Sequence, residues 1–395
     1  MAGAALDGEL TAARGRSGTG GTPTPPHGLR FALATLADDA AIRRLLRASP
    51  MRGAVSVAFE REPDYFAGEG LAGAADRTLL AFDHGQIVSM GRCSARAAFL
   101  NGEPHRVGYL AELRLDATAS GRFDILRQGY RALRELEAAE PADFYFTSIA
   151  ADNQRARQLL ERGVPGLPRY DFLAEFVTLL IPVGRSASQS RASLGLAQRP
   201  VTDRPYVPQL ESATPGELVA FLNAAARRHQ LAAVWSEETL AALARHALPA
   251  ERFQVWRRGG EIIAAAALWD QRGFRQTVIR GYARSLAWLR PLLNLTGARL
   301  PPPGATLAHA FLSPLAVEAA GEALLPDFVA AFFPLAARGG IEFLSLGLPA
   351  DDSRLDLLRR RFRCREYRSR LYRVGLAASG AEPDGRPFLP EVALL

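Results

Sequence analysis

Read for the period of its apolar positions, the chain divides into two stretches with one rhythm. In the first, residues 30–36 alternate as a strand. Asp38 and Asp39 then open a helix whose Ile42, Leu45 and Leu46 fall on one face. Residues 77–85 and 86–100 read as two strands joined at Asp83-His84-Gly85, a hairpin signal. A strand over 106–116 leads through a short turn into a helix over 124–140, with Ile125, Leu126, Tyr130, Leu133 and Leu136 at helical spacing. A strand over 143–149, a helix over 153–163 stopped by Gly163, and a strand over 171–183 close the stretch. Residues 57–70 are mixed, with Pro63 marking a turn or a helix start.

The second stretch predicts helices over 216–231 and 236–247, then two strands over 252–270 that meet at Gly259-Gly260. A strand over 305–317, a helix over 324–340, a strand over 341–348, a helix over 351–362 and a strand over 366–374 follow. Each half therefore runs helices, antiparallel strands, then strand–helix–strand–helix–strand, a repeat of architecture more than of sequence. Residues 184–205 are polar and nearly free of large apolar side chains, as linkers are. The N-terminus is rich in Gly, Pro, Thr and Ser and lacks the apolar segment of a secretory signal. The expected division is a disordered tail over 1–28, a unit over 29–183, a linker over 184–208 and a second unit over 209–395.

Composition narrows the chemistry. With 48% hydrophobic residues among 395, the chain has the material for real cores. The net charge is +7 and, since the sequence contains no lysine, all 48 basic residues are arginine. That excludes lysine Schiff-base chemistry and makes every cation a permanently charged fork suited to phosphate or carboxylate. The basic excess fits an anionic partner without choosing among a phosphorylated cofactor, nucleic acid and a membrane. Cys93 and Cys364 stand alone, which predicts neither a disulfide framework nor a metal site and fits a cytoplasmic setting. No run of ~18 apolar residues occurs, so neither a membrane span nor a membrane partner is expected. Residues 359–373 interleave arginines with Phe362, Tyr367 and Tyr372, a pattern that can grip single-stranded nucleic acid. More often such a run is a solvated helix and a charge-protected edge strand, and nucleic acid is not the expected partner. There is no nucleophile elbow, Walker loop or His-Glu-x-x-His, and the six histidines lack ligand spacing, so no metal is expected.

Two local patterns carry chemistry. The strand over 106–116 runs into Ser120-Gly121-Arg122-Phe123 and then a helix. After the next strand, Asn153, Ala156, Leu159 and Gly163 recur along a second helix. Over residues 29–183 this order resembles the GNAT N-acetyltransferase superfamily. The resemblance implies an α/β (α+β) fold of two GNAT-like domains, each a mixed, mostly antiparallel sheet flanked by helices. The second copy is degenerate, with Ser313-Pro314 but no Gly-x-Gly turn. It also implies acetyl-CoA as donor, with Leu113, Arg114, Leu115, Ser120, Gly121, Arg122, Phe123 and Asn153 at the cofactor and backbone N–H groups on its pyrophosphate. An N–H freed on the splayed strand would hold the thioester oxygen. Glu112 is the implied base, and Glu60, Glu62 and Tyr65 lie where the substrate loop is expected. The implied reaction is direct acyl transfer to an amine, small molecule or peptide. Four positions depart from the pattern: Ser120 replaces an arginine, Phe123 and Ile125 replace glycines, and Leu160 replaces the tyrosine that protonates the leaving thiolate. Those departures keep open a non-catalytic CoA-sensing or partner-binding module.

Overall fold

The computed structural model describes residues 28–183, 209–295, 300–376 and 381–395, apart from positions 52, 72 and 74. The tail up to residue 27 and the linker over 184–208 lie outside the described residues.

The first half begins with β1 (Arg30–Leu33), α1 (Asp39–Ala48) and β2 (Val55–Glu60). Ile42, Leu45 and Leu46 of α1 are buried, as their spacing predicts. Two hairpins follow, β3 (Ala75–Asp83) to β4 (Gln86–Leu100) and β4 to β5 (Glu103–Leu115). Their turns, His84-Gly85 and Asn101-Gly102, are left-handed at both positions (φ 48° and 76°, 54° and 83°), as two-residue hairpins require. Then come α2 (Phe123–Glu137), β6 (Phe144–Ala150), α3 (Gln154–Glu161) and β7 (Tyr170–Pro182).

The second half holds α4 (Pro215–Ala226), α5 (Glu237–Ala242), β8 (Phe253–Arg258) and β9 (Glu261–Trp269). Two elements that the periodicity did not predict come next, β10 (Gln276–Tyr282) and α6 (Arg284–Leu295). They precede β11 (His309–Val317), α7 (Leu325–Ala331), α8 (Phe333–Arg338), β12 (Phe343–Pro349), α9 (Arg354–Arg361) and β13 (Arg365–Val374). The single helix expected over 324–340 is broken at Phe332, because Pro334 has no N–H to continue the ladder and starts a new helix.

Eleven strands form one sheet in the order β1-β3-β4-β5-β6-β13-β7-β12-β11-β9-β8, and β2 pairs with β10 in a separate ribbon. Most neighbours are antiparallel; β5 with β6 and β11 with β12 are parallel. The last strand of each half crosses into the other. β13 lies between β6 and β7, and β7 pairs β12 from Phe176 against Pro349 to Pro182 against Phe343. Packing follows pairing. Val177, Leu179 and Ile181 of β7 sit in the core formed with Phe328, Phe332, Leu355 and Leu358 of the second half. Tyr372 and Val374 of β13 sit with Leu110, Tyr130, Ile149 and Leu160 of the first. Gly347 of β12 marks how close this joint is, since a Cβ there would lie 2.6 Å from ring carbons of Phe176 on β7.

Exchanged strands should make the halves unfold together. All four tryptophans, Trp235, Trp256, Trp269 and Trp288, lie in the second half, so their fluorescence reports that half while far-UV circular dichroism reports both. Urea titrations by the two probes should coincide. Two separated transitions would show that each half stands alone.

Candidate active site

The site is built on a fault in the sheet. β5 and β6 pair only from Val107–Phe144 to Leu110–Thr147 and then diverge. Immediately beyond, the β4–β5 register slips between Met90 and Arg92, and Glu112 takes φ 53°. This is a bulge on β5, and it breaks the alternation that would set Glu112, Arg114 and Asp116 on one side. Past Leu110 the β6-facing edge of β5 has no strand partner among the described residues.

A cavity of about 660 Å³ passes through this gap. One arm lies between the sheet and the helices α2 and α3. Its walls include Cys93, Leu110, Leu126, Tyr130, Leu133 and Leu160. The other arm faces the β2–β10 ribbon and the second half, where Arg61, Arg275, Ile279, His309, Phe311 and Tyr367 contribute. Strand alternation assigns the second half's residues: His309, Phe311 and Ser345 face the cavity, while Ala310, Leu312, Leu344 and Leu346 fill the core behind.

The second arm is charged. Arg61, 3% exposed, donates from Nε to Oε1 of Glu112 at 3.1 Å, and its Nη2 bonds the same oxygen. The Tyr65 hydroxyl donates to Glu112 Oε2 at 3.1 Å and lies 2.7 Å from Thr78 Oγ1. Arg92 is matched by Asp76, Nε to Oδ1 at 2.6 Å. Arg275 donates to the carbonyl of Ala393 at 3.0 Å and to that of Leu395. Burial alone would raise the Glu112 carboxyl, but the charges of Arg61 and Arg92, the Arg61 hydrogen bond and the Arg275 charge outweigh it. They hold the carboxyl far below the usual carboxylate range. Burial pushes the His309 imidazole down to about 4, so it is neutral at pH 7, with Nδ1 2.9 Å from Ser345 Oγ and Nε2 3.2 Å from Thr277 Oγ1.

Of the residues singled out in the sequence, Glu112, Leu113, Arg114 and Asn153 line the cavity. The partner of Glu112 is Arg61, while Arg114 donates to the Leu113 carbonyl at 3.0 Å. Leu115 closes the β4–β5 pairing opposite Ser89. Ser120, Gly121, Arg122 and Phe123 form the turn ahead of α2. Gly121 has φ 88° and an added Cβ would meet nothing, so its backbone conformation rather than crowding asks for glycine. Ser120 Oγ accepts from Arg155 at 3.0 Å, and Arg122 is taken up by Asp83 and Asp124. No side chain caps α2, whereas Asn153 caps α3 by accepting from the Ala156 N–H at 3.2 Å. Tyr65 meets Glu112, but Glu60 and Glu62 do not line the cavity: Arg280 takes the first, and Arg43 and Arg47 the second. Leu160 is buried in the cavity wall, and on the same arm the hydroxyls of Tyr130 and Tyr170 bond each other. The sequence reading passed over Arg92, Arg275, His309 and this tyrosine pair. The signal available for Arg92 was a charge inside an apolar strand, "VSMGRCSA". Among the described residues no group of three or more His, Cys, Asp or Glu is placed to hold a metal.

No family model matches the sequence, and no curated protein is similar to it in sequence. Solved structures are similar in fold. The N-myristoyltransferase of Saccharomyces cerevisiae, solved with bound myristoyl-CoA, matches with TM-score 0.54 at 9% identity, over 91% of this chain and 87% of that one. A GCN5-related N-acetyltransferase from Sphaerobacter thermophilus matches with TM-score 0.50 at 13% identity, over 92% and 97%. The chain thus has a GNAT-like fold over most of its length.

Glu112→Gln should cost ~3 kcal/mol or more of stability at neutral pH, because it strands the buried Arg61 charge. The lowered carboxyl stabilises the fold fully above its ordinary value of 4.5 and loses that effect as pH falls below it. The stability gap between wild type and variant, from urea midpoints, should therefore be widest near neutrality and shrink in acid. A gap independent of pH would show that Glu112 is not held by this charge cluster.

Proposed function

We propose that this chain transfers an acyl group from acyl-CoA to an amine, with donor and acceptor meeting at the β5 bulge from opposite faces of the sheet. The observation that carries the reading is the cavity through the β5–β6 gap, apolar on its helix side and charged on the other. The neighbouring N-myristoyltransferase fold, which holds myristoyl-CoA, supports it.

In this reading the turn over residues 120–123 and the uncapped first N–H groups of α2 receive the pyrophosphate. The pantetheine runs along the unpartnered edge of β5, and the thioester rests beside Glu112. The amine enters from the ribbon side, drawn by the ionised Glu112. A carboxyl this acidic passes the ammonium proton onward to water instead of keeping it. The free amine attacks the thioester carbonyl, the C–N bond forms, the nitrogen gives its second proton to water, the C–S bond breaks and the thiolate leaves. Positioning supplies much of the rate. The Tyr130–Tyr170 pair supplies the proton that Leu160 cannot.

The helix-side arm also speaks to the donor. Its α2 wall runs from Ile125 through Leu126, Gly129, Tyr130 and Leu133 to Leu136. At ~1.5 Å per residue that is ~16 Å of mostly apolar wall, more than an acetyl group occupies. We propose a donor chain of several methylenes in place of acetyl. Calorimetry with acetyl-, hexanoyl-, decanoyl- and tetradecanoyl-CoA should show affinity rising by up to ~0.8 kcal/mol per methylene until the arm is full. Leu133→Trp should abolish the gain while sparing acetyl-CoA. A flat series would remove the long-chain donor.

The non-catalytic alternative is favoured by Leu160 and by the ion-paired state of Glu112, and turnover decides between them. Thiol release over a panel of amines and peptides should fall ~100-fold or more in Glu112→Gln, with acyl-CoA affinity kept. Because Glu112 is ionised throughout the neutral range, the wild-type pH–rate profile should follow the amine and show no break near pH ~4–5. No thiol release from wild type with any acceptor would establish the binding module.

A further inference from the structure

The helix-side arm of the cavity is mostly apolar along its length and charged at its far end. Strand alternation sets Arg77, Leu79 and Ala81 of β3 on the face that lines it, while Thr78 and Leu80 point to the other face, toward Tyr65 and α1. Opposite them, α2 supplies the wall from Ile125 to Leu136. Strand and helix keep company along the arm. Ala81 packs with Ile125 at one end, and Arg77 meets Leu136 at the other.

Arg77 crosses from strand to helix at that end. Its Nη1 donates to the Leu136 carbonyl at 3.3 Å and lies 3.6 Å from Oε1 of Glu137. Glu137 is buried and held in turn by the Tyr145 hydroxyl, which donates to Oε2 at 2.8 Å. The Arg77 side chain still keeps 30% of its surface exposed. It also lines a second cavity of about 280 Å³, shared with Ala75, Asp76, Arg106 and Glu140. Arg77 is the one described residue that lines both cavities. Ala75, next along the same strand face, carries the line of the arm into the outer cavity.

An arginine suits this position. Its methylene stem completes an apolar wall while its guanidinium stays paired and partly in water. An acyl chain that reached the guanidinium would have to strip its water or push it away from Leu136 and Glu137, and apolar contact repays neither. A chain that ends short of it keeps the gain from burying each methylene.

We propose that Arg77 is the end stop of the acyl arm: it sets the longest donor chain the protein takes, and its removal opens the arm into the outer cavity. The inference rests on the long-chain donor proposed above and adds the residue that limits the chain.

The test is calorimetry of the full chain with acyl-CoAs from hexanoyl to octadecanoyl, each below its micellar concentration. Wild-type affinity should climb by up to about four-fold per methylene, pass a maximum and fall for longer chains. Arg77→Ala should bind hexanoyl-CoA as wild type does, move the maximum to a longer chain, and hold octadecanoyl-CoA about ten-fold or more tightly than wild type does. Because Arg77→Ala strands the buried Glu137 carboxylate, Arg77→Ala/Glu137→Gln is run beside it. The amide keeps an acceptor for Tyr145 and leaves no unpaired charge, so this variant answers the question even where the single one fails to fold. A maximum at the same chain length in wild type and variants overturns the end stop and leaves the long-chain donor standing. So does a wild-type affinity still rising at octadecanoyl-CoA. A wild-type series flat from hexanoyl onward overturns the donor reading itself, and the end stop with it.

Discussion

The insertion of β13 between β6 and β7 is the constraint on which the rest of the structure depends. A strand pair supplies hydrogen bonds along its whole length, and neither β6 nor β7 can satisfy its inner edge without β13. The exchange therefore welds the two halves into one sheet and sets the angle at which their inner faces meet. His309 and Ser345 of the second half line the same cavity as Glu112 of the first. The degenerate copy, which lacks a phosphate turn of its own, contributes the far wall of the site instead.

A second constraint is electrostatic. A chain without lysine must use arginine wherever it buries a cation, and a guanidinium does not shed its charge to suit a dry environment. Arg61, Arg92 and Arg275 converge beneath the β2–β10 ribbon, and Asp76 answers one of them directly. Glu112 is thereby committed as a counter-ion before any substrate arrives. Its ionised state disfavours residence of a proton, so the position of one residue in a charge cluster fixes its protonation.

Much of the fold was legible in order and type. The His84-Gly85 turn, the α1 face of Ile42, Leu45 and Leu46, and the strand–turn–helix around Gly121 are local, and local rules read them. The two elements that escaped are instructive. β10 gains its strand character by pairing with β2, more than two hundred residues away, as Glu60 against Gln276 shows. α6 shows its apolar stripe to water, so the rule that apolar means inside had nothing to attach it to.

Of the candidate site, the sequence by itself determined the residue types and their local geometry: a glycine that tolerates φ 88° at Gly121, an asparagine that caps α3, and a carboxylate on the strand before the turn. The tertiary structure decided which of them meet. The bulge that reverses alternation at Glu112 arises from a register slip against β4, and its partners Arg61, Tyr65, Arg92 and Arg275 come from three other segments of chain. Side-chain chemistry is local and can be read residue by residue. Ion pairing and burial are properties of distance, and distance between segments exists only once the sheet has closed.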